Sequence, residues 1–128
     1  ATFLWSFLLF RNVIEVSMVF SQSLKKNEDF RKVYENGVSL ADSFLVMYKL
    51  PNNSNENRLG ISVSKKVGNS IVRHHLTRLI REAYRLHEEM FDTGLDIVIV
   101  ARSRAKNSSY KTIEKSLLKL ADLHQILK

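Results

Sequence analysis

Between residues 70 and 90, apolar side chains fall at Val72, Leu76, Leu79, Ala83, Leu86 and Met90, in steps of 4, 3, 4, 3 and 4. That spacing predicts one long amphipathic helix with a continuous apolar stripe, and Ser70 stands where an N-cap belongs. At about 100° per residue, Arg73, His74, Thr77, Arg78, Arg81 and Arg85 fall on the opposite side. The stretch before it, "RLGISVSKK", alternates strictly: Leu59, Ile61 and Val63 point one way, Gly60, Ser62 and Ser64 the other. This predicts a strand with one core face. Its small, polar second face is either plain solvent-facing surface or the floor of a shallow trough.

The rest of the chain reads in the same terms. "KKNEDFRKVYENG" predicts a short helix: Asn27 can cap it, Glu28 and Asp29 suit its positive end, and Gly37 can end it. Phe30, Val33 and Tyr34 share one face of that helix. Residues 38–41 and 44–50 are rich in β-branched, aromatic and aliphatic side chains and predict two strands, followed by a loop at Pro51 and "NNSNEN". "DIVIVAR" is almost continuously apolar, as a buried central strand is. A last helix from about Ser109, capped by Ser108 or Ser109, has Ile113, Leu117, Leu120 and Leu127 on its core side. Four strands and three helices result, an α+β pattern without internal repeats.

Charge changes this picture. The 128 residues, 45% hydrophobic, suit one domain with a single core. The formal charge is +7, and seven Lys or Arg against one acid lie between residues 58 and 86, while the rest of the chain is nearly balanced. A local cationic patch of this kind is the footprint expected for a polyanion partner. Within it, Glu82 is the one acid among the arginines of the long helix, so repulsion along that face has little relief inside the chain. Phosphates supply the relief and release counterions as they do so. Nucleic acid is therefore favoured over an acidic protein, or over a membrane surface, which would need the apolar stripe that the sheet already requires.

The absence of cysteine fits a reducing compartment, with the cytoplasm as the expectation. Residues 1–17 are unlike the remainder of the chain: the apolar run at 3–10 is much shorter than the roughly 20 residues of a membrane span, and neither a basic leader nor a cleavage site flanks it. They are expected to be an extension outside the domain, which would occupy residues 18–128 with Met18 as its natural start.

"RLGISVSKKVGNSIVRHHLTRLIREAYR" resembles the signature region of the protein component of bacterial ribonuclease P, the ribonucleoprotein that removes 5′ leaders from precursor tRNA. "LKKNEDFRKVYENG", "LVMYKL" and "DIVIVAR" are similar to that family in the same order, so the resemblance covers residues 18–128. It implies a single-domain α/β sandwich of the type of ribosomal protein S5 domain 2, with a four-stranded mixed sheet, three helices and a left-handed βαβ crossover. It also implies that Arg73, His74, Thr77, Arg78, Arg81 and Arg85 face the catalytic RNA. Phe30, Tyr34, Tyr48, Ser62 and Ser64 would hold the single-stranded 5′ leader, with Lys65 and Lys66 on phosphates near the junction. Aromatic platforms beside a cationic groove suit single-stranded RNA, although core packing of the first helix is the plain alternative for Phe30 and Tyr34. The chain departs from the family where it has Arg73-His74-His75 in place of the usual Arg-Asn-Arg, and Thr77 where Lys is frequent; His75, near the rim of the apolar stripe, suits packing as well as RNA contact.

A protein ribonuclease would need an acid and base pair, or carboxylates gathered on metal ions. His74 and His75 are adjacent and diverge by about 100° on a helix, so they do not chelate one metal together. Glu88, Glu89, Asp92 and Asp96 come after the basic helix, where a solvated helix end explains them. No catalytic residue and no metal ligand are assigned to the protein. The resemblance implies that the RNA subunit performs the hydrolysis with Mg²⁺, that catalytic RNA and precursor tRNA are the partners, and that neither a membrane nor a small-molecule substrate is involved. A ribosomal or generic RNA-binding module, and a stand-alone nuclease, are the rival classes.

Overall fold

A computed structural model describes residues 20–128. The expectations for residues 1–17 and for Met18 as a start lie outside the described residues. In chain order the elements are β1 (Ser21–Ser23), α1 (Asn27–Asn36), β2 (Val38–Ala41), β3 (Leu45–Pro51), β4 (Asn57–Ser62), α2 (Ser70–His87), β5 (Leu95–Ala101) and α3 (Tyr110–Leu123), with 3-10 turns at Glu88–Met90 and Ser103–Ala105. The sheet runs β1-β4-β5-β3-β2. β4 pairs in parallel with both β1 and β5, while β3 is antiparallel to β5 and β2. Helix α2 is thus a crossover between two adjacent parallel strands.

Each sheet face is covered by helix. On one side α2 and α3 close the main core around Leu45, Met47, Leu59, Ile97 and Ile99, with Leu76, Ile80, Tyr84, Ile113, Leu117 and Leu120 contributed by the helices. On the other, α1 seats Val33 over Val98, with Leu24, Phe30, Tyr48, Leu50 and Val100 around it. Strand β5 serves both cores, and only Val100 of its seven residues is less than fully buried, as its unbroken apolar run predicts.

The sheet has five strands where the sequence predicts four. The extra one, β1, is three polar residues long, and neither its length nor its composition carries a strand signal. It is held by backbone pairing to β4 and by the Ser21 hydroxyl, 2.8 Å from the Tyr84 hydroxyl. The strand predicted over 58–66 ends at Ser62, so Val63 and Ser64 lie beyond it.

Three helix details also differ. Asn69, not Ser70, caps α2, its Oδ1 accepting from the Val72 N–H at 3.0 Å. Lys26 occupies the N-cap position of α1 without a side-chain cap, and Asn27 is the first helical residue. Leu127 is not on α3, which stops at Leu123; Gln125 takes φ 60° and turns the chain so that Leu127 bridges to Phe91.

The apolar stripe of α2 is displaced too. Leu76, Ile80, Ala83 and Tyr84 are buried, whereas Leu86 is 53% exposed and Met90 46%. The stripe predicted from Val72 leaves out Ile80 and Tyr84, whose side of the helix is the one buried, so Leu86 falls off the core, and Met90 lies past the helix in the 3-10 turn.

Candidate nucleic-acid interface

Of the seven basic residues clustered in sequence, the fold neutralises two. Arg58 donates through Nε and Nη2 to the buried carboxylate of Asp96 at 2.9 and 2.7 Å, and its Nη1 reaches Asp29 at 3.5 Å. Arg85 makes a two-pronged pair with Glu82, at 2.9 and 2.8 Å. The i,i+3 spacing places the one acid of the helix against Arg85, so this residue, expected to face RNA, also has a partner within the chain. Arg73, Arg78 and Arg81, with Lys65 and Lys66 before them, have no carboxylate partner among the described residues.

Position on α2 separates these arginines. Arg78 is exposed and Arg81 half-buried. Arg73 lies one heptad before buried Ile80, within about 20° of it round the helix axis, so it stands at the rim of the buried face and not opposite to it. Its Nε is shielded from water and has no partner. Thr77 turns its hydroxyl onto the Arg73 carbonyl at 2.9 Å, which occupies its proton within the helix. His74 and His75 are both exposed. The first turn of α2 carries no acid, so its positive end is not offset from within, and Lys65 and Lys66 lie just ahead of it in the chain.

On the opposite face of the sheet, α1 and three strands form a cleft. Register places Val46, Val100 and Ser62 in one row and Tyr48, Val98 and Gly60 in the next. Phe30 roofs the second row: a Cβ on Gly60 would lie 2.7 Å from its ring, so glycine is what lets α1 approach. The first row is only partly covered. Tyr34, 39% exposed, sits edge-on to Tyr48 with ring centroids 5.0 Å apart, and Phe30 and Tyr34 are 6.3 Å apart. Asn27, Phe30, Arg31, Tyr34, Ile61 and Ser62 line the open depression, about 330 Å³ in volume.

Phe30, Tyr34, Tyr48 and Ser62 are therefore brought together, with Phe30 serving partly as core. Ser64, Lys65 and Lys66 continue past the end of β4 as an exposed turn in which the Val67 N–H bonds the Ser64 carbonyl at 3.1 Å. Asn27, Arg31, Val46 and Val100 were missed by sequence reasoning. Parity along the strands would have found the two valines, but the register that sets them beside Ser62 is a tertiary fact.

The acidic residues after α2 do not form the solvated cluster expected of them. Asp96 is buried; burial raises its pKa, but hydrogen bonds from Arg58 and Asn52 and the charge of Arg58 outweigh this and hold it below the ordinary carboxylate range. Glu88 is also buried and accepts the Phe20 N–H at 3.2 Å. His87 meets Glu114 of α3 at 2.7 Å, and Tyr110 donates to the same carboxylate at 3.4 Å. Burial, then the charge of Glu114, pushes the Tyr110 phenol up to about 12. Among the described residues no group of three or more metal-ligating side chains gathers, and no helix is long and apolar enough to cross a membrane.

The layers and exposed chemistry define the class: a small α+β sandwich carrying an unneutralised cationic helix on one side of its sheet and an aromatic cleft on the other. The Ribonuclease P family model matches residues 18–124. The chain is 55% identical over 107 residues to the ribonuclease P protein component of Lachnoclostridium phytofermentans, covering 84% of this chain and 92% of that one. It is 50% identical over 101 residues to the component from Clostridioides difficile, covering 78% and 89%. Among solved structures, the RNase P protein of Staphylococcus aureus aligns with a TM-score of 0.78 at 35% identity, over 84% of this chain and 99% of that one. The Thermotoga maritima protein aligns with a TM-score of 0.74 at 28% identity, over 80% and 96%. The chain belongs to the bacterial ribonuclease P protein family.

Proposed function

We infer that this chain is the protein subunit of a ribonuclease P, serving in the cytoplasm to assist a catalytic RNA in removing the 5′ leader from precursor tRNA. The observation that carries this reading is the set of five cations, Lys65 and Lys66 before α2 and Arg73, Arg78 and Arg81 along it, left without carboxylate partners among the described residues. Their mutual repulsion is relieved by phosphate, and the helix N-terminus favours the same charge.

The two faces divide the work. Arg73, Arg78 and Arg81, with His74, dock on the catalytic RNA. The cleft of Phe30, Tyr34, Tyr48 and Ser62 takes the single-stranded leader, with Tyr34 as a stacking surface and Arg31 at its edge. Lys65 and Lys66 screen phosphate repulsion where leader and RNA meet. The protein's contribution is to hold the substrate and the RNA in register, which lowers the entropic part of the barrier. Hydrolysis itself, with its Mg²⁺, belongs to the RNA; the best-held carboxylate near the basic segment, Asp96, is already committed to Arg58 and Asn52.

Reconstitution tests this. With the catalytic RNA from the same source at low Mg²⁺, the protein is expected to accelerate leader removal and to show no cleavage alone. Cleavage by the protein alone would make it a nuclease, and RNA binding without acceleration would make it a generic RNA-binding module.

A further inference from the structure

On the outer surface of α2, on the flank away from Arg73, Ser70, Ile71, His74, His75, Arg78, Leu79 and Glu82 line an open groove of about 800 Å³. Ile71 is 78% exposed there, more than any other large apolar side chain of the described residues. Ile71, His75, Leu79 and Glu82 succeed one another at steps of 4, 4 and 3, so the groove runs along the helix. Its middle is apolar and imidazole, Arg78 stands on one wall, and the Glu82–Arg85 pair closes the far end. Leu79 is half-buried and rests on the core, whereas Ile71, His74, His75 and Arg78 are exposed, away from the buried side formed by Leu76, Ile80, Ala83 and Tyr84.

We propose that this groove receives an unpaired nucleobase of the RNA on which α2 docks, with the base stacked on His75 between Ile71 and Leu79 and its phosphate on Arg78. The inference rests on the RNA-docking role given to α2 above and adds to it a contact that is not electrostatic. Charge complementarity selects the occupant. An apolar peptide would fill the middle but offer the exposed Arg78 on its wall no anion. A regular RNA duplex would satisfy the arginines and leave Ile71 in water. A nucleotide whose base is turned out of its stack offers an apolar, aromatic face and an anion together.

The test uses the full-length protein and the catalytic RNA from the same source, at one fixed pH throughout. Affinity is measured across a salt series for the parent, for the double variant Ile71→Ser with His75→Ala, for His75→Phe, and for Arg78→Ala. Both Ile71 and His75 are exposed, so circular dichroism should be the same for all four. The double variant is expected to bind about tenfold more weakly, as the loss of one stacked base implies, with the slope of log Kd against log salt unchanged. His75→Phe should bind at least as well as the parent, and Arg78→Ala should lower the slope by about 1. Parental affinity in the double variant, or failure of phenylalanine to sustain binding, would overturn the groove assignment while an altered slope in Arg78→Ala still upheld docking by α2. If Arg78→Ala also bound like the parent, the docking reading itself would fall.

Discussion

His124 shows how one side chain can tie stability to pH. It lies just past α3, buried, with Nε2 donating to the Met47 carbonyl at 2.8 Å and Nδ1 shut away from any partner. Lys49 donates to the His124 carbonyl at 2.6 Å, so a positive charge is already close. Burial lowers the His124 pKa, the Lys49 charge adds to this, and the Met47 hydrogen bond only partly opposes it. The folded protein thus refuses a proton that the unfolded chain accepts. Its contribution is complete above the unfolded value of 6.5 and declines as pH falls from there toward the depressed folded value. Urea midpoints should drop between about pH 7.5 and pH 5.5 in the parent, and His124→Gln should flatten that drop. An equal drop in both would place the titration elsewhere. Asp42 and Asp96 add their own losses only at more acidic pH, because burial is outweighed by Ser116 and backbone N–H groups at one and by Arg58 and Asn52 at the other. Nothing in the local sequence "ADLHQ" distinguishes this histidine from the exposed pair at 74 and 75; its burial comes from a strand 77 residues away.

At the scale of elements, α2 carries two faces whose boundary decides what each residue does. Ile80 is wholly buried between the sheet and α3, whereas Leu86 is half in water. Ile80→Ala should cost about 2–5 kcal/mol, and Leu86→Ser should stay within about 0.5 kcal/mol; equilibrium denaturation distinguishes them, and the opposite order would mean that the stripe predicted by strict heptads is the real core. Long periodic elements were legible: all three helices, the alternating strand β4 and the continuous strand β5 occur where their patterns place them. What was not legible has a common cause. Strand β1 forms because the edge of β4 offers it backbone partners, Arg73 sits at the rim because α2 buries the side of Ile80 and Tyr84, and Asp96 is buried because Arg58 lies opposite it in the register. The candidate site divides similarly. The arginines of α2 and the aromatics of α1 could be read from spacing, but the choice of Arg58 and Arg85 for internal pairs, and the valine row beside Ser62, depend on which strands and turns meet.

For the molecule as a whole, the sheet is a partition. The cationic helix packs on the face of Leu59, Ile97 and Ile99, and the aromatic cleft opens on the face of Val98 and Gly60, with the turn at Lys65 and Lys66 joining them at the end of β4. Two surfaces separated by a rigid core should fail separately. Replacing Arg78 and Arg81 by alanine removes two of the unpaired cations without touching the cleft, so assembly with the catalytic RNA should weaken and the salt slope should fall by about 1 to 2. Once the complex is saturated, its preference between leader-bearing and leaderless substrates should match that of the parent. Tyr34→Ala removes the exposed stacking ring and its edge contact to Tyr48 while leaving α2 intact. Assembly should then be preserved, and the preference for leader-bearing substrate should shrink by roughly tenfold, as for one lost base–aromatic contact. Binding isotherms for the RNA subunit, read beside cleavage of the two substrates, separate the effects. If the arginine variant altered leader preference, or Tyr34→Ala altered assembly, the two faces would be coupled through the sheet and the division of labour assigned to them would be wrong.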